Sequence, residues 1–200
     1  MGAEPALAGL VLAGGSSTRM LRDKAAIEVA GETQLARAVR LVRGVAPDTF
    51  VSVRDDQRAE ATRARWPQII DRLADVGPAA GILAALEARP DRAWLVVAID
   101  LPLLDAATLA QLVARRDPAA IATAYISSSD GLPEPLCAIW EPASRVPLAA
   151  FIEGGRSCPR KFLLSHGATL IELEVPGALA NANTPAELAA LTGATPGGAA

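Results

Sequence analysis

The chain of 200 residues carries one histidine, two cysteines and only 4% aromatic residues. His166 stands beside Gly167 at what reads as a helix end, the ordinary place for a surface imidazole. With no second histidine, a Ser-His-Asp hydrolase is excluded in practice, and "GGSS" is not the GxSxG elbow such an enzyme would need. Cys137 and Cys158 lie too far apart for a CxxC pair and are too few for a disulfide framework or a cysteine metal site, which predicts a reducing, cytoplasmic setting. Basic excess is also missing. Nineteen Lys and Arg against 22 Asp and Glu give a net charge of -3, and the cations are scattered, so no nucleic-acid partner is expected and a bound phosphate would belong to a small molecule. No apolar run approaches the roughly eighteen residues of a membrane span. The first residues lack a signal peptide's basic start and cleavage region, so neither a membrane partner nor export is expected.

What the chain does have is apolar residues, 51% of the total, ample for a core at this length. A single domain over 1–192 and a loose tail over 193–200 are expected. Short runs rich in Val, Ile and Leu alternate with segments of helical spacing. That alternation predicts an α/β fold: a doubly wound, mostly parallel (mixed) sheet flanked by helices, Rossmann-like. Strands are expected at 7–13, 49–54, 68–71, 93–100, 120–126, 135–140 and 169–175. Helices are expected at about 33–43, 55–65, 79–89, 106–116 and through 142–165, with a last one opened by Thr184 as N-cap, Pro185 and Glu187 in a capping-box pattern.

Four stretches could carry chemistry. "LAGGSSTRMLRDK" (12–24) follows the first strand. Gly14 and Gly15 let the backbone turn and turn its N–H groups toward a ligand, while Arg19 and Lys24 can reach phosphate oxygens. It is neither a P-loop nor a GxGxxG fingerprint, and a glycine pair there also suits an ordinary turn. Asp100 ends the strongest strand. In open α/β sheets ligands sit beyond the carboxyl ends of strands, so Asp100 faces the same crevice and could hold a Mg2+ ion bridging to a phosphate. A helix-capping or turn-forming Asp is the alternative. Asp71, followed by Gly77-Pro78 and a helix, offers an acid and an open helix N-terminus. "NANTP" (181–185) offers the amides of Asn181 and Asn183, whose carbonyls can complete a Mg2+ shell but which on their own read as capping residues.

Taken together and in order, LAGGxSxRM, DK, the Asp71–GPxAG segment, D-x-P after the central strand and NxNTP-x-EL resemble the molybdenum cofactor guanylyltransferases. These belong to the nucleotidyltransferases that share an LAxGxxxRM loop. The resemblance spans Leu10 to Leu188. It implies a Rossmann-like nucleotidyltransferase fold and Mg2+-dependent transfer of GMP from GTP to molybdopterin, with release of pyrophosphate. Leu12, Ala13, Gly14, Gly15, Lys24, Asp71 and Asp100 would bind nucleotide, Asp100 the metal. Arg19, Lys24 and Asp100 would be catalytic. Asn181 and Asn183, with Arg156, Arg160 and Lys161 from the basic stretch 154–162, would face the acceptor. Transient contact with proteins that deliver the cofactor or mature molybdoenzymes is implied as well. Alternatives of the same pattern are a cytidylyltransferase, transfer to another phosphorylated acceptor, or a relative that binds without catalysis. The family pattern has glycine after RM where this chain has Leu21, and often an asparagine near Val53 and Arg54.

Overall fold

The computed structural model describes residues 4–14, 23–29, 31–182 and 184–193. Strand β1 (Leu7–Leu12) is followed by a 3-10 turn (Lys24–Ala26), a two-stranded hairpin of β2 (Glu28–Val29) and β3 (Glu32–Thr33), and helix α1 (Gln34–Arg43). Thr33 caps α1 by accepting the Ala36 N–H at 3.2 Å, as expected for Thr at that position. Next come β4 (Thr49–Arg54), α2 (Ala61–Ala64), β5 (Gln68–Asp71), α3 (Pro78–Ala88), β6 (Ala93–Ala98) and α4 (Ala106–Ala114). The last third holds β7 (Ala122–Ile126), β8 (Pro133–Trp140), α5 (Arg145–Glu153), α6 (Pro159–His166), β9 (Thr169–Ile171) and α7 (Pro185–Thr192).

Seven strands form one sheet in the order β5-β4-β1-β6-β8-β7-β9. All pair in parallel except β8, which runs antiparallel to both β6 and β7. The sheet is therefore mixed, as the sequence predicts. Alternate residues of β6 point to opposite faces. Leu95 and Val97 join α1 and α4 in one core, whereas Trp94 and Val96 join α3, α5 and α6 in the other. Burial on both faces is why β6 reads as an unbroken apolar run. The chain leaves β1 for β4 and β5 on one side, then crosses back to β6 on the other. The point of reversal lies between the carboxyl ends of β1 and β6, where an open α/β sheet forms its ligand crevice.

Three expected elements differ. The polar helix over 55–65 is a 3-10 turn (Asp55–Gln57) followed by the single turn α2. The helix through 142–165 is broken into α5 and α6 at Gly154-Gly155, with Gly155 at φ 76°, a conformation glycine accepts without the Cβ penalty. Strand β9 stops at Ile171 rather than at 175. The β2–β3 hairpin was not foreseen, because two-residue strands carry no readable period. Among the described residues, no helix is long and apolar enough to cross a membrane.

Candidate active site

The carboxyl ends of β1 and β6 carry the site. Past β1, Ala13 is buried, and Gly14 turns away with its carbonyl accepting from Arg54 Nη1 at 2.8 Å. The chain returns at Asp23, whose carboxylate caps the 3-10 turn by accepting the Ala25 N–H at 3.1 Å. That turn presents Lys24. Its Nζ lies 3.4 Å from Asp100 Oδ2 and donates to the Ala182 carbonyl at 3.5 Å. Ala182 in turn donates its N–H to the Asp100 carbonyl at 2.9 Å. Three segments far apart in sequence, the stretch after β1, the end of β6 and the "NAN" stretch, thus meet at Lys24 and Asp100.

Two cavities open on either side of it. The smaller, about 380 Å³, is lined by Leu12, Gly14, Lys24, Asp71, Gly77 and Gly81 among others. The larger, about 880 Å³, is lined by Ser127, Ser129, Glu134, Cys158, Arg160 and Asn181 among others. Ala98, Asp100 and Leu136 line both, so Asp100 stands on the wall they share.

In the smaller cavity Asp71 ends β5 in direct register with Arg54 of β4. Burial pushes the Asp71 carboxyl above the ordinary carboxylate range, although the Leu73 N–H and the Arg54 charge pull the other way. The Leu73 N–H donates to Asp71 Oδ1 at 2.9 Å. Arg54 also binds Asp56 through Nε and Nη2, at 3.1 Å each. Asp75 on the rim holds φ 59°, a left-handed backbone that Asp accepts more readily than most non-glycine residues.

Of the sequence-predicted site residues, Leu12, Gly14, Lys24, Asp71 and Asp100 line the smaller cavity, and Asn181 lines the larger. Arg160 lines the larger cavity too, paired with Asp130 at 2.8 Å and Glu134 at 3.1 Å. Arg156 lies elsewhere, its guanidinium 4.2 Å above the Phe151 ring, and Lys161 is exposed on α6. Gly15, Arg19, Leu21 and Asn183 lie outside the described residues. His166 stacks on Phe162, ring centroids 4.3 Å apart, a structural contact at a helix end.

Arg63, on α2, escaped the sequence reading. It is 1% exposed and donates to the Ala13 carbonyl and to the Asp23 carboxylate. An arginine inside a polar, Arg-rich segment gives no signal of burial, so only the fold reveals it.

Residues 9–169 match the family model of the MobA-like NTP transferase domain. The chain belongs to this family. A molybdenum cofactor guanylyltransferase of Pseudomonas paraeruginosa is 38% identical to this MobA-like domain, over 90% of the chain and 91% of the relative. A molybdenum cofactor biosynthesis bifunctional protein of Synechocystis is 33% identical over 90% of the chain, which spans about half, 52%, of that protein's length. Among solved structures, molybdopterin-guanine dinucleotide biosynthesis protein A of Archaeoglobus fulgidus superposes with a TM-score of 0.73 at 25% identity. That match covers 90% of this chain and 94% of the other. The MobA-like domain is accordingly a nucleotidyltransferase, and it shares the Rossmann-like fold of its structural neighbours.

Proposed function

We propose that this MobA-like domain transfers GMP from GTP to molybdopterin, releasing pyrophosphate. The observation that carries the proposal is Asp100, ion-paired to Lys24 on the wall common to two cavities. A donor nucleotide in one cavity and a phosphorylated acceptor in the other would bring their reacting phosphates together there.

The smaller cavity suits the nucleotide. It lies beside the glycine-bearing turn after β1 and the N-terminus of α3, whose N–H groups favour anions. Asp71 offers a carboxylate to the N–H groups of guanine's Watson-Crick edge, and Lys24 offers a cation to its phosphates. The larger cavity is big enough for a fused-ring acceptor and has Arg160, Asn181 and three serines, Ser127, Ser128 and Ser129, for its polar groups. Asn183 and Arg19 would add to the acceptor and phosphate contacts.

No histidine base is required. A phosphate monoester has a second pKa of about 6, so the acceptor's terminal oxygen is already anionic near neutral pH. Attack at the α-phosphate then needs alignment and neutralisation of charge on the α-phosphate and departing pyrophosphate, tasks that fall to Lys24 and Arg19. Among the described residues no three His, Cys, Asp or Glu gather into a metal cage. A single carboxylate, Asp100, which lines the larger cavity together with Asn181, would suffice to hold a Mg2+ ion, since that ion is commonly held by one or two carboxylates plus substrate phosphates and water. Bound there, Mg2+ would supply charge stabilisation at the phosphates.

The direct test is transfer of label from [α-32P]GTP to molybdopterin in the presence of Mg2+. A labelled molybdopterin-GMP product supports the proposal; label that stays in GTP contradicts it, whether or not a parallel reaction with [α-32P]CTP labels molybdopterin.

A further inference from the structure

Arg63 has five guanidinium N–H donors and is buried to 1% exposure. Its Nε and Nη2 donate to the Ala13 carbonyl at 3.0 and 2.8 Å. Nη1 and Nη2 also grip the two oxygens of Asp23 at 2.5 and 2.8 Å, and Nη1 binds Glu60 as well. Burying a charge costs much free energy unless its partners replace the lost water, and here a carbonyl and two carboxylates do so. The partners are not arbitrary. Ala13 is where the chain leaves β1, and Asp23 is where it returns to the site. A single side chain from α2 therefore joins the two ends of the predicted phosphate-holding stretch.

The connection continues. Asp23 Oδ1 accepts the Ala25 N–H and so caps the turn that carries Lys24, and Lys24 Nζ reaches Asp100 at 3.4 Å. We propose that Arg63 is a positioning residue: by clamping Ala13 to Asp23 it holds the Lys24 ammonium at Asp100, where the triphosphate is to bind. An apolar residue of similar volume would fill the same space without the desolvation cost. The charge is explained by what it holds.

The nucleotide half of the test rests on the function proposed above; the other half does not. Three variants are compared with the wild-type chain. Arg63→Met removes the clamp. Asp23→Ser breaks the ion pair but keeps a side-chain oxygen able to cap the turn. Arg63→Lys keeps a buried cation that cannot grip both ends at once. The first readout is the acetylation rate of Lys24 with an N-hydroxysuccinimide ester, followed by peptide mass spectrometry. The second is GTP affinity by calorimetry, measured also in a Lys24→Met background. The thermal midpoint identifies which variants are folded, and Asp23→Ser carries the test if Arg63→Met is not.

Folded clamp variants should acetylate Lys24 faster and bind GTP about tenfold more weakly. In the Lys24→Met background the same changes should have little further effect, the non-additivity expected of residues acting through one another. Unchanged acetylation in folded variants, or an equal loss of GTP affinity with and without Lys24, would overturn the clamp. Faster acetylation in a chain whose wild type binds no GTP would leave the clamp standing and remove the proposed function instead.

Discussion

Lys24 Nζ lies 3.4 Å from Asp100 Oδ2, with their side chains 17% and 24% exposed. The pair joins a turn that follows β1 to the end of β6, across the reversal point of the sheet. The pair is partly open to solvent, and enough protein surrounds it to strengthen its electrostatics.

Lys24→Ala and Asp100→Ala should each lower turnover by about a hundred- to a thousandfold, equivalent to about 3 to 4 kcal/mol of transition-state stabilisation. Thermal midpoints should move little, because the pair is partly solvated and such pairs contribute about 1 kcal/mol or less to stability. Steady-state pyrophosphate release together with a melting curve checks both halves. Full activity in either variant would be inconsistent with the site.

Under the proposed function, Asp71 should make nucleotide binding pH-dependent. Burial raises its carboxyl above the ordinary value, which is about 3.9. A carboxylate is required to accept the base N–H groups, so GTP affinity should fall as pH drops through that raised pKa. Asp71→Asn should bind weakly and lose this dependence. The sign for stability is the reverse: the native state holds the proton more tightly than the unfolded chain, so ionised Asp71 subtracts from stability above its folded pKa. Asp71→Asn should therefore be no less stable than wild type at pH 7. Calorimetric titrations from pH 4 to 8 test the first claim and melting curves the second.

Gly81 lets α3 approach the strands closely beside the smaller cavity. A Cβ there would overlap Ser52 Oγ and come within 3.0 Å of Leu12 Cδ2. Gly81→Ala should push the start of α3 outward, at about 1 to 3 kcal/mol of stability as overpacking usually costs, and weaken GTP binding together with it. A chemical melt and a GTP titration of the same sample decide this; unchanged values in both would refute the close approach.

Away from the site, Arg116 Nε binds Glu141 Oε1 at 2.7 Å, with side chains 7% and 1% exposed. Arg116→Met should cost about 3 to 5 kcal/mol, because Glu141 is left buried without its partner. Adding Glu141→Gln should recover part of that loss, measurable as denaturation midpoints of the two variants.

Much of the fold was legible in the sequence because burial and capping leave local marks. Strand β6 reads as an apolar run since both its faces are covered, and Thr33 and Thr184 announce their helices by side-chain caps. Lys24, Asp71 and Asp100 stand out in the sequence by strand-end or motif position, and the fold brings them to the lining of one cavity. What was not legible depends on contacts between distant segments. Nothing near Arg63 in the chain signals that its guanidinium turns inward to Ala13 and Asp23, or that this diversion accompanies a single turn of helix where a longer one was expected. The Ala182–Asp100 hydrogen bond is likewise invisible until β6 and the closing segment meet.

The central claim is that donor and acceptor meet at Asp100, with GTP as donor. Pyrophosphate release by the wild-type chain with molybdopterin and Mg2+, run side by side with GTP and CTP, tests it most directly. The account predicts molybdopterin-dependent release from GTP well above that from CTP, and its loss in Asp100→Ala. Preference for CTP, or release from GTP that persists in Asp100→Ala, would contradict it.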